Sequence, residues 1–310
     1  MKRVIVFGNA SLDIVLFVDR LPVPGETLLA NDMMRCPGGK GLNQAIAACR
    51  AGAPVKLIAP LGRDPDGAFL RSAVEAEGGI EADWRFSEAP TDVSTIRVSL
   101  SGENEIVSSA GSARSMGVAD SEILLSDLRQ EDILILQGNL RHETTSAAIR
   151  AAKAREAFVI LNTAPVDREM SKVLPQADIV VANEVEASIL TGLDGDAAAR
   201  ALLDLGCGTA VVTLGAEGLV FADRRSHGMQ RLEAPPTEAI DSSGAGDVFV
   251  GTLAAELARP DARLEAALSF AVAAASLSVR RRGTVPSFPT RAELNLLRVG
   301  LRTETGDSLR

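Results

Sequence analysis

Cysteine and histidine are scarce in this 310-residue chain. Three cysteines, Cys36, Cys49 and Cys207, form an odd set without CxxC spacing, which excludes a disulfide framework and a paired-cysteine zinc site. The two histidines, His142 and His227, have no helix-spaced partners, which excludes a histidine-rich metal centre and leaves both as surface residues. Long apolar runs are missing too. None approaches the ~18 to 20 residues that span a bilayer, and MKRVIVFGNASLD passes straight into a strand-like segment instead of a signal peptide. Basic charge is in deficit: 32 Lys and Arg stand against 41 Asp and Glu, a net charge of -9, so no nucleic-acid partner is expected. What these absences leave is a globular protein of the cytoplasm with no membrane partner.

What the chain does contain is alternation. Short apolar runs at Val4–Phe7, Val55–Ala59, Ile133–Leu136, Phe158–Leu161, Ile179–Val181 and Ala210–Leu214 read as strands buried on both faces of a parallel sheet. Between them, Lys40–Arg50, Gly67–Glu77, Thr144–Arg155, Glu184–Leu190, Ala197–Leu205, Gly246–Ala258, Leu264–Val279 and Arg291–Leu297 carry helical spacing or a capping group. The pattern predicts a three-layer α/β/α fold in one domain over residues 1–310. Two stretches break it. Residues 14–35 read as extended pieces interrupted by LPVPGE, and residues 84–110 as three strands (WRF, STIRVSL, NEIVSSA); together they predict a small β-sheet lid. Residues 303–310 read as a frayed end.

Glycine-rich helix starts carry the chemistry. In Asp241-Ser-Ser-Gly-Ala-Gly-Asp247, two close glycines and a helix N-terminus suit an anion, and Asp247 could take a proton from a hydroxyl attacking a bound phosphoryl group. A capped glycine turn fits the same seven residues. Upstream, PGGKGLNQA (37–45) opens a second helix, where Gly39 lets a ligand approach and Lys40 and Asn43 offer donors one turn apart, or simply form a helix start with a surface lysine. Asp13, after the first strand, suits either the vicinal hydroxyls of a sugar or an Asx turn. Asn183 and Glu186 follow a strand at the end where open α/β sheets bind ligands; Glu186 could reach magnesium through water, or the two could cap a helix. Thr213-Leu-Gly-Ala-Glu-Gly218 suits nucleotide phosphates or a plain hairpin. Neither GxxxxGK[ST] nor a GxGxxG after the first strand occurs, so P-loop and dinucleotide sites lose ground.

Taken in order, GNASLD, PGGKGLNQA, NTAP (162–165), NEVEA, TLGAEG, DSSGAGDVF and RRGTVPSFP (281–289) resemble the PfkB family of carbohydrate kinases, ribokinase-like members above all, over nearly the whole chain. The resemblance implies a ribokinase-like fold, with a central mostly parallel sheet and a small β-sheet lid, and ATP-dependent phosphorylation of a primary sugar hydroxyl. Asp247 matches the catalytic base, and the backbone of Gly244, Ala245 and Gly246 the anion hole. Asn183 and Glu186 match residues that position phosphate and Mg2+, while Thr213, Gly215 and Gly218 fall in the ATP-binding turn. Asp13, Gly39, Lys40 and Asn43 match sugar contacts. A K+ activator is implied beside the anion hole, with Asp241 and Ser243 in one loop and Ser278, Arg281, Gly283 and Ser287 in the other, several contributing backbone carbonyls; Arg280-Arg-Arg-Gly also reads as a basic helix end with a glycine cap. A homodimer through the lid is implied as well.

Two positions leave the ribokinase pattern. Ser11 stands where an asparagine is usual and Asn139 where a glutamate is, so the hydrogen bonding offered to the sugar differs and the substrate widens to other pentoses, ketohexoses, sugar acids or nucleosides. A nucleoside kinase needs a base-sized apolar pocket, which an aromatic content of 3% supports little. A catalytically silent sugar-binding relative would have lost Asp247 or the GAGD glycines, and both are present.

Overall fold

The computed structural model describes residues 1–225 and 228–304; His227 and the predicted frayed segment from 305 onward lie outside the described residues. Strands run β1 Val4–Phe7, β2 Ser11–Phe17, β3 Asp32–Gly38, β4 Val55–Leu61, β5 Ile80–Phe86, β6 Asp92–Val98, β7 Asn104–Ser108, β8 Ile133–Leu136, β9 Phe158–Asn162, β10 Ile179–Asn183, β11 Thr209–Thr213, β12 Leu219–Asp223 and β13 Met229–Leu232. Helices run α1 Lys40–Arg50, α2 Pro65–Glu77, α3 Val118–Leu124, α4 His142–Lys153, α5 Glu184–Thr191, α6 Gly195–Asp204, α7 Ala245–Leu257, α8 Leu264–Ser278 and α9 Arg291–Glu304.

Among the described residues the main sheet has the order β13-β12-β11-β10-β9-β8-β1-β4-β5, parallel except for the antiparallel pairs β11–β12 and β12–β13. Its apolar strands split their side chains between two cores. Val4 and Val6 of β1 join Leu42 and Ile46 of α1 and Val250 of α7 on one face; Ile5 and Phe7 join Ile149 of α4 and Leu202 of α6 on the other. This two-sided burial is why the runs are almost wholly apolar, and it makes the three layers. At α2, Asp64 accepts from Gly67 N at 2.8 Å and Pro65 occupies the first turn, which starts the helix two residues before the predicted Gly67.

A separate four-stranded sheet, β3-β2-β6-β7, makes the lid. Its make-up corrects the sequence reading in one respect: Trp84–Phe86 belongs to β5, which pairs in parallel with β4 at the edge of the main sheet, and not to the lid. Such an edge strand has one face half in solvent, so its alternating pattern mimics a lid hairpin. The lid strands also begin at Ser11 and end at Gly38, outside the expected 14–35. Parallel pairing of β2 with β6 sets Asp13 opposite Ser94, while antiparallel pairing of β2 with β3 sets it opposite Cys36. Farther along the same face Val15, Ile96, Val98 and Cys36 form a small apolar core, flanked by Phe17 and Met34.

Candidate active site

The carboxyl ends of the main strands present a row of polar side chains in sheet order: Thr213 on β11, Asn183 on β10, Asn162 on β9, Gln137 after β8 and Asn9 after β1. Two helices start over this edge. The first, α1, nests on the β1–β2 turn, where Leu42 N donates to Asn9 O at 3.0 Å and Gly41 N to Asn9 Oδ1 at 3.3 Å. Its N-cap, Gly39, has φ 88°, and a Cβ there would lie 2.7 Å from Ser11 N, so both backbone conformation and close approach require glycine. The second, α7, starts at Gly244 with φ 79°, where a Cβ would lie 2.7 Å from the Phe288 ring.

No side chain caps α7. At Gly246, in its first turn, a Cβ would meet nothing within 4 Å, so packing does not demand glycine there; the residue leaves the helix start bare, as an anion needs. Asp247 follows, buried to 5% exposure. Its carboxylate accepts from Asn43 Nδ2 at Oδ2 and from Gln44 Nε2 at Oδ1, both at 2.9 Å. Gln44 Nε2 also donates to Asn162 Oδ1 at 3.2 Å, and Gln44 Oε1 accepts from Gln137 Nε2 at 2.8 Å.

Asp13 lies beside this cluster, 3% exposed. Its carboxylate sits against Gly38, where a Cβ would come within 2.0 Å of it. Ser11 Oγ donates to Asp13 Oδ1 at 3.2 Å and lies 3.3 Å from Ser94 Oγ. Burial pushes the Asp13 carboxyl up to about 6; hydrogen bonds from Thr284, Ser11 and Ser94 work against that rise, and the Asp247 charge adds to it. Three further amide oxygens, Asn43 Oδ1, Gln137 Oε1 and Asn139 Oδ1, are buried with no hydrogen-bond partner.

The residues predicted for a cation divide. Asp241, 2% exposed, joins the two loops: its carboxylate accepts from Ser243 N and from Gly283 N, each at 2.8 Å. Ser243 Oγ is buried without a partner. By contrast, Ser278 Oγ and Ser287 Oγ donate to the backbone oxygens of Ala275 and Thr284, and Arg281 pairs with Glu293 at 2.8 Å, so these side chains are already engaged within the protein. The capping reading holds at β10: Asn183 Oδ1 accepts from Glu186 N at 2.8 Å, Glu186 Oε2 from Asn183 N at 3.1 Å and from Thr163 Oγ1 at 2.8 Å. Thr213 Oγ1 donates to Ala182 O at 3.4 Å, and Gly215 and Gly218 turn the hairpin from β11 into β12. This group stands three strand spacings from β1 at β10 and four at β11, about 14 to 19 Å along the sheet. Lys40 is half-buried at the first position of α1. His142 is partly exposed and pairs with Asp167 at 2.8 Å.

Sequence reasoning passed over Gln44, Gln137, Ser94 and Thr284, which reach the site from four different elements. Two carried a signal, Gln44 as the neighbour of Asn43 in a glycine-led helix start and Thr284 inside RRGTVPSFP.

A mostly parallel open sheet with an uncapped helix start at its carboxyl edge, a buried carboxylate held by amides and a β-lid on the same side defines the class of α/β proteins with a candidate anion site at that edge. Comparison with known proteins makes the class specific. Residues 1–291 match the pfkB family of carbohydrate kinases. A ribokinase from Haemophilus influenzae is 35% identical over 304 residues, covering 94% of this chain and 97% of that protein. A bifunctional ribokinase/ribose-5-phosphate isomerase A from Fructilactobacillus sanfranciscensis is 32% identical; the match covers 98% of this chain, which spans only 58% of that longer protein. The structure of Arabidopsis thaliana ribokinase complexed with ribose and ATP superposes with a TM-score of 0.81 at 27% identity, covering 96% of this chain and 98% of the other. The chain belongs to the pfkB family and is a carbohydrate kinase.

Proposed function

We propose that the protein transfers the γ-phosphoryl group of ATP to a primary hydroxyl of a pentose or similar sugar, with Asp247 as general base. The observation that carries this is the placement of a buried Asp247, held by Asn43 and Gln44, in the first turn of a helix whose N-terminus has no side-chain cap. Amide donors on both oxygens fix the carboxylate while leaving lone pairs for the sugar hydroxyl, whose proton it takes as the oxygen attacks phosphorus. The backbone around Gly244, Ala245 and Gly246 then faces the charge that develops on the transferring group.

Asp13 accepts two sugar hydroxyls, and the unpartnered Asn43 Oδ1 and Asn139 Oδ1 supply further acceptors. Their neutral amides favour a sugar with hydroxyl donors at those positions over a sugar acid. Nucleotide phosphates lie toward Asn183, Thr213, Gly215 and Gly218. Among the described residues no three His, Cys, Asp or Glu side chains gather to hold a metal, which fits magnesium that arrives on the nucleotide and meets Glu186 through water. The buried, unpartnered Ser243 Oγ beside Asp241 fits a monovalent cation between the two loops, where the cation would add positive charge beside the anion hole.

The exposed lid residues Met33, Ile106 and Val107 fit a homodimer contact. Three buried free cysteines fit the cytoplasm. The test is ADP release over a panel of pentoses, hexoses, sugar acids and nucleosides, with and without potassium, for wild type and Asp247→Ala. The variant is expected to bind ATP and to lose ~100- to 10,000-fold in turnover. Near-normal turnover would overturn the assignment, and a nucleoside preferred over every sugar would replace the substrate class.

A further inference from the structure

We infer that Gln44 is a positioning residue for Asp247, the last link of a buried amide chain that fixes the carboxylate from the backbone of β10. The inference rests on the reading of Asp247 as the base. Gln44 and Gln137 are both fully buried. The chain starts at Val181 O, which accepts from Asn162 Nδ2 at 3.2 Å and so turns Asn162 Oδ1 toward Gln44. Gln44 Nε2 uses one hydrogen on Asn162 Oδ1 and the other on Asp247 Oδ1, while its Oε1 accepts from Gln137 Nε2. Reversing the Gln44 amide would set its oxygen against two other oxygens and its NH2 against another NH2. One orientation is therefore imposed, and it aims a donor at Asp247.

The two amides that hold Asp247 divide the work. Asn43 keeps an unpartnered oxygen, whereas both ends of the Gln44 amide are engaged inside the protein. The spacing between the helices is set independently. Gly251, one turn beyond Asp247 on α7, lies so close to α1 that a Cβ there would sit 2.5 Å from Gln44 O and 2.7 Å from Ala47 Cβ. Helix α1 is thus pressed onto α7 where Gln44 must reach the carboxylate.

The test compares steady-state kinetics, ATP binding and thermal midpoints of Gln44→Met, Asp247→Ala and the double variant. Methionine keeps the volume and removes both donors. Gln44→Met is expected to lose ~100-fold in kcat, the size of effect given by a misplaced reacting group, with KM for sugar and ATP within roughly twofold. In the Asp247→Ala background the same change is expected to leave residual turnover where it was, since a group acting through the carboxylate has nothing left to position; a purely structural role would lower it further. Wild-type kcat in Gln44→Met, with Asp247→Ala inactive, overturns the inference and leaves the base intact; an active Asp247→Ala overturns the base itself. Should Gln44→Met not fold, Gln137→Met releases the same amide from its other end, and an unchanged kcat there overturns the inference.

Discussion

Replacing Asp13 by asparagine is expected to make the free protein more stable while abolishing its use of sugar. The carboxyl is buried, and its pKa rises from 3.8 to about 6 because desolvation outweighs the hydroxyls of Thr284, Ser11 and Ser94. At about 1.36 kcal/mol per pH unit, keeping this group ionised in the fold costs on the order of 3 kcal/mol above pH 6. The unfolded chain ionises first, so the folded state binds the extra proton between pH 4 and 6. The cost is full above the folded value, shrinks as pH falls through it, and vanishes below the unfolded value. Asparagine has no proton to lose, keeps an acceptor for one hydroxyl and donates to the others, which rotate to meet it. With an unfolding entropy of about 2.1 cal/mol/K per residue, the gain corresponds to about 4 to 5 °C for a chain of 310 residues. The assay is differential scanning calorimetry of the ligand-free wild type and Asp13→Asn at pH 8, 6 and 4.5. A higher midpoint for the variant at pH 8, converging on wild type toward pH 4.5, is expected. A lower midpoint at pH 8, or a difference that ignores pH, would refute the reasoning.

Three further outcomes follow from the same geometry. Gly246→Ala is expected to keep the wild-type thermal midpoint, because the new methyl meets no protein atom within 4 Å, yet to lose turnover; Gly244→Ala, with φ 79° and Phe288 at 2.7 Å, is expected to lose both in parallel assays. In Arg50→Met the guanidinium bonds to Val285 O at 3.3 Å and Phe288 O at 3.0 Å disappear along with the Glu77 ion pair. Bonds from a charged donor contribute ~1.5 to 3 kcal/mol, so denaturant titration should show a loss of that size, and potassium titration of activity a weaker apparent affinity. Gly251→Ala should cost ~1 to 3 kcal/mol by the same denaturant titration and lower kcat, as α1 is forced off α7.

Legibility followed burial. The β1, β8, β9 and β10 runs could be read because both faces of each strand are buried, which removes every polar position. Strands β12 and β13 escaped notice: β13 is half exposed, and the glycine turn at 215–218 reads equally as a phosphate loop. Helix α3 is too short to show a period. At the site, Asp247, Asn43 and Asp241 sit in glycine-led motifs and were legible as residue types in place. Gln137 and Ser94 were not, since each reaches the site from a separate stretch of sequence: Asp13 meets Ser94 only because β2 pairs in parallel with β6. The partners of Arg281 and Ser278, Glu293 and the backbone oxygen of Ala275, were equally hidden, because a side chain's direction depends on its folded surroundings.

That pairing places unequal demands on the length of two neighbouring segments. Along β2, Asp13, Val15 and Phe17 lie on one face, so the substrate-side carboxylate and the lid's apolar core keep their places through a single two-residue repeat. One residue inserted just before Asp13 within the paired segment would send the carboxylate to the opposite face, the one on which Leu12 is buried, even with every functional residue retained. The connection between Val18 and Asn31, whose backbones still bond to Val98 O and Phe17 O, carries no such repeat, so a change of length there leaves the register of β2 in place. An added residue is therefore expected to be tolerated in that connection and to abolish sugar use on β2, where only a side chain exchanged in place keeps the register.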